Sequence, residues 1–164
     1  DGPDSGHEKI VEPFTKTYSN ITYHQSSERF NDWGYSLREW AINEFVDTPW
    51  ILNTNDDNYY VPIFLQECSS LIDKDPTLDF IMYDCLMNIL TENSKNQSFY
   101  QTQYSFPKLG YIDMGSFIVK SDLIKDIGLN TKSSISDGLL VEDIMNKHPN
   151  MNLHKLNKTL FVHN

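Results

Sequence analysis

Two adjacent carboxylates, Asp56 and Asp57, are the residues of this chain whose type and spacing most directly suggest chemistry. They lie in Asn53-Thr54-Asn55-Asp56-Asp57-Asn58, a run without a single apolar side chain. Neighbouring carboxylates repel each other, and a cation beside them relieves that repulsion. Hard divalent ions such as Mg²⁺ or Mn²⁺ take oxygen ligands, and Mg²⁺ often uses only one or two carboxylates plus substrate phosphates. The plain alternative is an Asx-rich turn, because Asn and Asp bond their own backbone and tolerate tight turns. The pair alone leaves both readings open.

The flanking residues give the pair a position. Trp50, Ile51 and Leu52 form a short apolar run of the kind that makes a buried strand. Pro62 suits the first position of a helix, where its missing N–H costs nothing. Phe64, Leu65, Cys68, Leu71 and Ile72 then recur at helical spacing until residues 73–76 stop the helix. The carboxylates therefore fall at the carboxyl end of a strand and just before a helix, the edge of an open α/β sheet where ligands bind.

Upstream, the pattern predicts a short helix carrying Ile10, Val11 and Phe14, and a strand over residues 21–24. A helix after Gly34 carries Leu37, Trp40, Ala41 and Phe45 on one apolar face. Downstream, a strand runs from Phe80 to Tyr83 and extends towards Met87. Residues 91–104 are polar and read as a long loop, where Phe99, Tyr100 and Tyr104 either stack on a sugar or anchor the loop. A helix capped by Ser121 then closes at Gly128, and residues 131–136 form a polar loop. Asp137 and Gly138 precede a helix that Pro149 ends. A last strand over residues 159–162 leads to His163.

Length and composition bound the answer. A chain of 164 residues is one domain's worth, and 39% apolar with 13% aromatic residues describes a globular fold. Thirteen basic against twenty-three acidic residues give a net charge of −10, which excludes the basic footprint that nucleic acids or anionic membranes require. A nucleotide is still a possible ligand, since a metal ion can neutralise its diphosphate. Cys68 and Cys85 lack metal-ligand spacing and read as buried free thiols. No apolar run approaches the ~20 residues needed to span a bilayer, so the expectation is a cytoplasmic domain without a transmembrane segment. Gly-rich phosphate loops, a nucleophile elbow and zinc-type Cys/His spacings are all missing from the sequence.

Asp56-Asp57-Asn58-Tyr59-Tyr60-Val61-Pro62 resembles the metal-binding motif of GT-A glycosyltransferases, near family 2. The resemblance spans nearly the whole chain and implies one domain over residues 1–164: a GT-A α/β fold with a central mixed sheet and helices on both faces. It also implies a fragment of a longer chain, because the family's first strand-helix unit has no counterpart here. The implied reaction is metal-dependent, inverting transfer of a sugar from a nucleoside-diphosphate donor, most often UDP-linked, to a carbohydrate or other hydroxyl acceptor. The metal would be Mn²⁺ or Mg²⁺, held by Asp57 and by His163 after the last strand. Asp1, in the family's loop after its second strand, and Asp56 and Asp113 would contact the nucleotide or donor sugar. Asp137 would be the general base, with Glu142-Asp143 as the competing acidic pair. Asn31-Asp32-Trp33-Gly34 resembles the family's loop before a helix, but its usual phosphate-side arginine is shifted or absent, so Arg38 is not assigned to ligand. Two other classes compete with this reading: a nucleotidyltransferase on a related scaffold, and a non-catalytic relative that only binds nucleotide-sugar.

Overall fold

The computed structural model describes residue 3 and residues 5–90, 98–129 and 135–164. In chain order the elements begin with α1 (Ser5–Thr17), α2 (Tyr35–Glu44), β1 (Trp50–Ile51), β2 (Tyr59–Tyr60), α3 (Phe64–Lys74) and β3 (Phe80–Leu90). There follow β4 (Ser98–Gln103), a 3-10 turn (Met114–Ser116), β5 (Phe117–Lys120), α4 (Ser121–Ile127), α5 (Ser136–Lys147) and β6 (Leu153–His163).

The strands form one mixed sheet in the order β1-β5-β3-β6-β2, with β4 joined to β3. The long pair β3 and β6 is parallel, whereas β5 runs antiparallel to both β1 and β3. Thus β1, β3 and β6 point the same way, and residues 53–58 and His163 emerge at their common carboxyl edge. β4 takes over from β5 beside the second half of β3, pairing Cys85 with Gln103 through Leu90 with Ser98.

Strand alternation builds a core on each face of the sheet. Phe80 and Met82 of β3 join Phe117 and Val119 of β5 against Tyr35, Ile42, Ile124 and Ile144 from α2, α4 and α5. Ile81, Tyr83 and Cys85 join Ile118, Leu160 and Phe161 against Phe64 and Cys68 of α3. The helices therefore cover both faces, as expected of this fold class. No helix among the described residues is long and apolar enough to cross a membrane.

Several local expectations are corrected. Residues 21–24 form no strand, because no described strand runs alongside to take their backbone groups. The carboxylate turn is followed by β2, a short edge strand on β6, so the helix starts at Phe64 rather than at Pro62. The polar stretch expected as a loop contains β4; its residues 91–97 lie outside the described residues. The buried face of α2 is Tyr35 and Ile42 rather than the Trp40 side, where Trp40, Phe45 and His24 form an aromatic cluster instead. Ser121 opens α4 but does not cap it by a side-chain hydrogen bond.

Candidate active site

A cleft of about 280 Å³ opens at the carboxyl edge of the sheet, lined by Trp33, Tyr35, Arg38, Thr54, Asn55, Asn58, Asp113, Met114, Gly115, Asp137 and His163. Its wall on the α2 side begins with a backbone reversal. Asn31, Trp33 and Gly34 adopt φ of 54°, 55° and 78°, a region that only glycine enters freely. This reversal starts α2 at the cleft, so that Tyr35 and Arg38, one turn apart, face into it. Arg38 donates from Nη1 to Trp33 O at 2.8 Å and from Nη2 to Asn55 Oδ1, and its guanidinium lies 5.6 Å from the Tyr35 ring centre.

The opposite wall is the segment between β4 and β5. Asp113 accepts from Gly115 N at 2.8 Å, and Ser116 Oγ closes the turn from the other side by donating to Asp113 O and accepting from Asp113 N. Tyr60 and Tyr83 both donate to Gly115 O, at 2.9 and 3.0 Å. Gly115 lies so close to Phe161 that a β-carbon there would stand 2.3 Å from the ring. These contacts fix Asp113 at the cleft and beside β6, whose last residue is His163.

Asp137 enters from the first turn of α5. Its carboxylate does not cap that helix: Oδ1 accepts from the Tyr35 hydroxyl and Oδ2 from Met114 N at 3.0 Å. Burial pushes its pKa up, the neighbouring Asp113 charge adds to that, and the bonds from Tyr35 and Met114 oppose it. Tyr35 is in turn held in its neutral form, well above its ordinary value, by burial and by the Asp137 carboxylate. Glu142 points elsewhere, accepting from Leu109 N at 2.9 Å.

His163 Nδ1 stands 3.1 Å from Asp113 Oδ2, an ion-pair distance, yet this buried nitrogen makes no well-aligned hydrogen bond. Its pKa is raised by the Asp113 contact first, and by Asp57 and Asp137 at longer range, against the opposing effect of burial. Asp56 and Asp57 occupy an exposed turn at the rim. The turn is tied to the strand end by Asn164, which donates to Asp57 O at 2.7 Å and to Asn58 Oδ1 at 3.0 Å.

Asp113, Asp137 and His163 thus meet in one cleft, with Asp57 close enough to act on His163 electrostatically. Neither Asp56 nor Asp57 is among the residues that line the cleft, and Asp1 lies outside the described residues. Sequence reasoning set Arg38 aside, did not single out Tyr35, and placed Asn58 in the motif without giving it a role. A Tyr and an Arg one turn apart at a helix start are an available signal, but in sequence they match an ordinary solvated helix face.

Among the described residues, no group of three or more His, Cys, Asp or Glu side chains could hold a metal ion by itself. The donor chemistry still suits a hard divalent ion that completes its shell with phosphate oxygens, because such ions need only one or two protein ligands. The Asp57 carboxylate at the rim and the His163 imidazole, whose Nδ1 the Asp113 carboxylate already approaches, are the donors present for it.

No protein-family model matches the chain, and no curated protein matches it either. Among solved structures, it is similar to S. aureus TarS 1-349, with a TM-score of 0.67 at 17% identity over 99% of this chain and 49% of that one. A second structure of S. aureus TarS gives a TM-score of 0.65 at 17% identity, over 98% of this chain and 29% of that one. The chain spans about half of the first structure's length and less of the second's. The chain thus shares the GT-A type of α/β fold with these structures.

Proposed function

We propose that this cleft transfers a sugar from a nucleoside-diphosphate donor, UDP-linked by preference, to an acceptor hydroxyl, inverting the anomeric centre. The observation that carries the reading is the convergence of Asp113, Asp137 and His163, from three separate segments of a GT-A fold, at the strand edge beside the Asp56-Asp57 turn. In the proposed step, the acceptor oxygen bonds to the anomeric carbon as the bond from that carbon to the diphosphate oxygen breaks. Asp137 takes the acceptor proton, and the leaving electron pair stays on the diphosphate. A raised pKa suits this role, since a carboxylate closer to the working pH is the stronger base.

Asp113 and Asp56 are assigned to the donor's sugar and ribose, and Arg38 to its phosphates. Asp57 and His163 are the residues that would hold Mn²⁺ or Mg²⁺, which when bound supplies charge neutralisation for the departing diphosphate. His163 would have to give up its proton to bind the metal, so metal binding should release protons and weaken as pH falls.

The test is release of free sugar from a panel of nucleotide-sugars, with and without Mn²⁺. Cleavage of at least one donor is expected, with loss of Mn²⁺-dependent UDP binding in Asp57→Ala. Unchanged UDP affinity in that variant removes the metal assignment, and no cleavage of any donor removes the reaction.

A further inference from the structure

A second hollow, of about 410 Å³, lies outside the donor cleft between the β3–β4 pair and the segment leading to Asp113. Its lining includes Met87, Gln101, Gln103, Tyr104, Phe106 and Tyr111. No residue that lines it carries a charge, although the chain as a whole is strongly acidic. Its aromatic rings are unusually open to solvent: Tyr104 is 66%, Phe106 55% and Tyr111 52% exposed.

We propose that this hollow is the acceptor subsite and that its occupant is a neutral saccharide. The assignment rests on the transfer reading above and names the acceptor class for it. Three observations carry it. First, open aromatic faces beside side-chain amides, with no charge among them, suit a saccharide. Ring faces take the weakly positive C–H faces of a hexose, and each glutamine offers both a donor and an acceptor to hydroxyls that are themselves both. A charged acceptor would find no counter-charge here.

Second, the hollow and the donor cleft are neighbours along the sheet. Gln101 pairs with Met87, and Met87 pairs with His163, so the three side chains form one row across one sheet face. Two strand spacings separate Gln101 from His163, roughly 10 Å. Along the chain, Tyr111 precedes Asp113 by only two residues.

Third, Leu109, the residue before Gly110 of the hollow's lining, is held against the helix that carries Asp137. Leu109 donates its N–H to Glu142, and a β-carbon at Gly138 would stand 2.5 Å from Leu109 Cα. The segment that walls the hollow and the helix that carries the base are therefore packed together.

The experiment titrates the full chain with maltotriose, cellotriose and chitotriose, and separately with n-decanol as an apolar probe, following line broadening by NMR. Nucleotide-sugar cleavage is measured on the same sample. Binding of at least one trisaccharide is expected, with at least ten-fold weaker binding in Tyr104→Ala and in Gln103→Ala, each checked for an unchanged circular dichroism spectrum. Both side chains reach the surface, so neither variant threatens the fold. Absence of trisaccharide binding, equal affinity in both variants, or binding of decanol alone each overturns the proposal. Cleavage without saccharide binding removes the subsite and leaves the transferase. Saccharide binding without cleavage keeps the hollow as a saccharide site but removes the transferase and with it the acceptor assignment.

Discussion

Asp137 shows what a single residue needs in order to act as a base. Both its oxygens already accept protein hydrogen bonds, from the Tyr35 hydroxyl and from Met114 N, yet each carboxylate oxygen has a second lone pair free for an incoming proton. Those two bonds aim the carboxylate, while burial and Asp113 hold its pKa above the ordinary value near ~3.9. Transfer should therefore rise with pH as Asp137 ionises, along a limb displaced upward from a solvated aspartate. Tyr35→Phe removes a bond that lowers this pKa, so the limb should move further up; a pH profile of kcat/KM checks the direction. Asp137→Asn keeps the shape but removes the base, and should reduce transfer by about 10²–10⁴-fold with donor binding little changed. Near-normal turnover in Asp137→Asn refutes the assignment.

The elements act on the site through close approaches that only glycine allows. Gly115 lets the segment between β4 and β5 lie on the Phe161 ring, and Gly138 lets the start of α5 touch the backbone of Leu109. Gly115→Ala should destabilise the fold by about 1–3 kcal/mol through overpacking and displace Asp113 as well. A urea titration together with donor affinity would register both effects, and unchanged values for both would show that Phe161 simply turns aside. At this scale the sequence was legible where a signal is local. Helical spacing located α3 and α5, and the run from Phe80 located β3. It was not legible where pairing comes from far away: β4 is polar, and what makes it a strand is β3 alongside. Conversely, the β-forming residues 21–24 have no described strand to pair with and stay irregular. The site divides in the same way. The tandem Asp56-Asp57 is visible in one dimension, while the meeting of Tyr35, Asp113, Asp137 and His163 exists only after folding.

At the scale of the whole molecule, β3 and β6 hold the two cores and the site together. Their parallel pairing runs from Phe80 with Leu153 to Met87 with His163, so the register of β6 also sets where His163 stands relative to Asp113. That register shifts around Asp84, where Tyr83 partners Leu156 but Asp84 partners Thr159. A charged pair spans this irregularity: Lys155 Nζ bonds Asp84 Oδ1, which also accepts from Ser105 N at 2.9 Å. The Asp84 side chain is only 7% exposed. Removing one partner of such a pair leaves a buried charge uncompensated, which costs about 3–5 kcal/mol, whereas replacing both partners is often close to neutral. Lys155→Met should therefore lower stability by an amount in that range, and adding Asp84→Asn should recover most of the loss. Because β3 faces both cores, the weakened protein should still unfold in one step. Tryptophan fluorescence and far-ultraviolet circular dichroism should give one shared urea midpoint. Separate midpoints would mean that the two faces of the sheet melt independently, and a double variant no more stable than Lys155→Met would show that Asp84 bears no uncompensated charge.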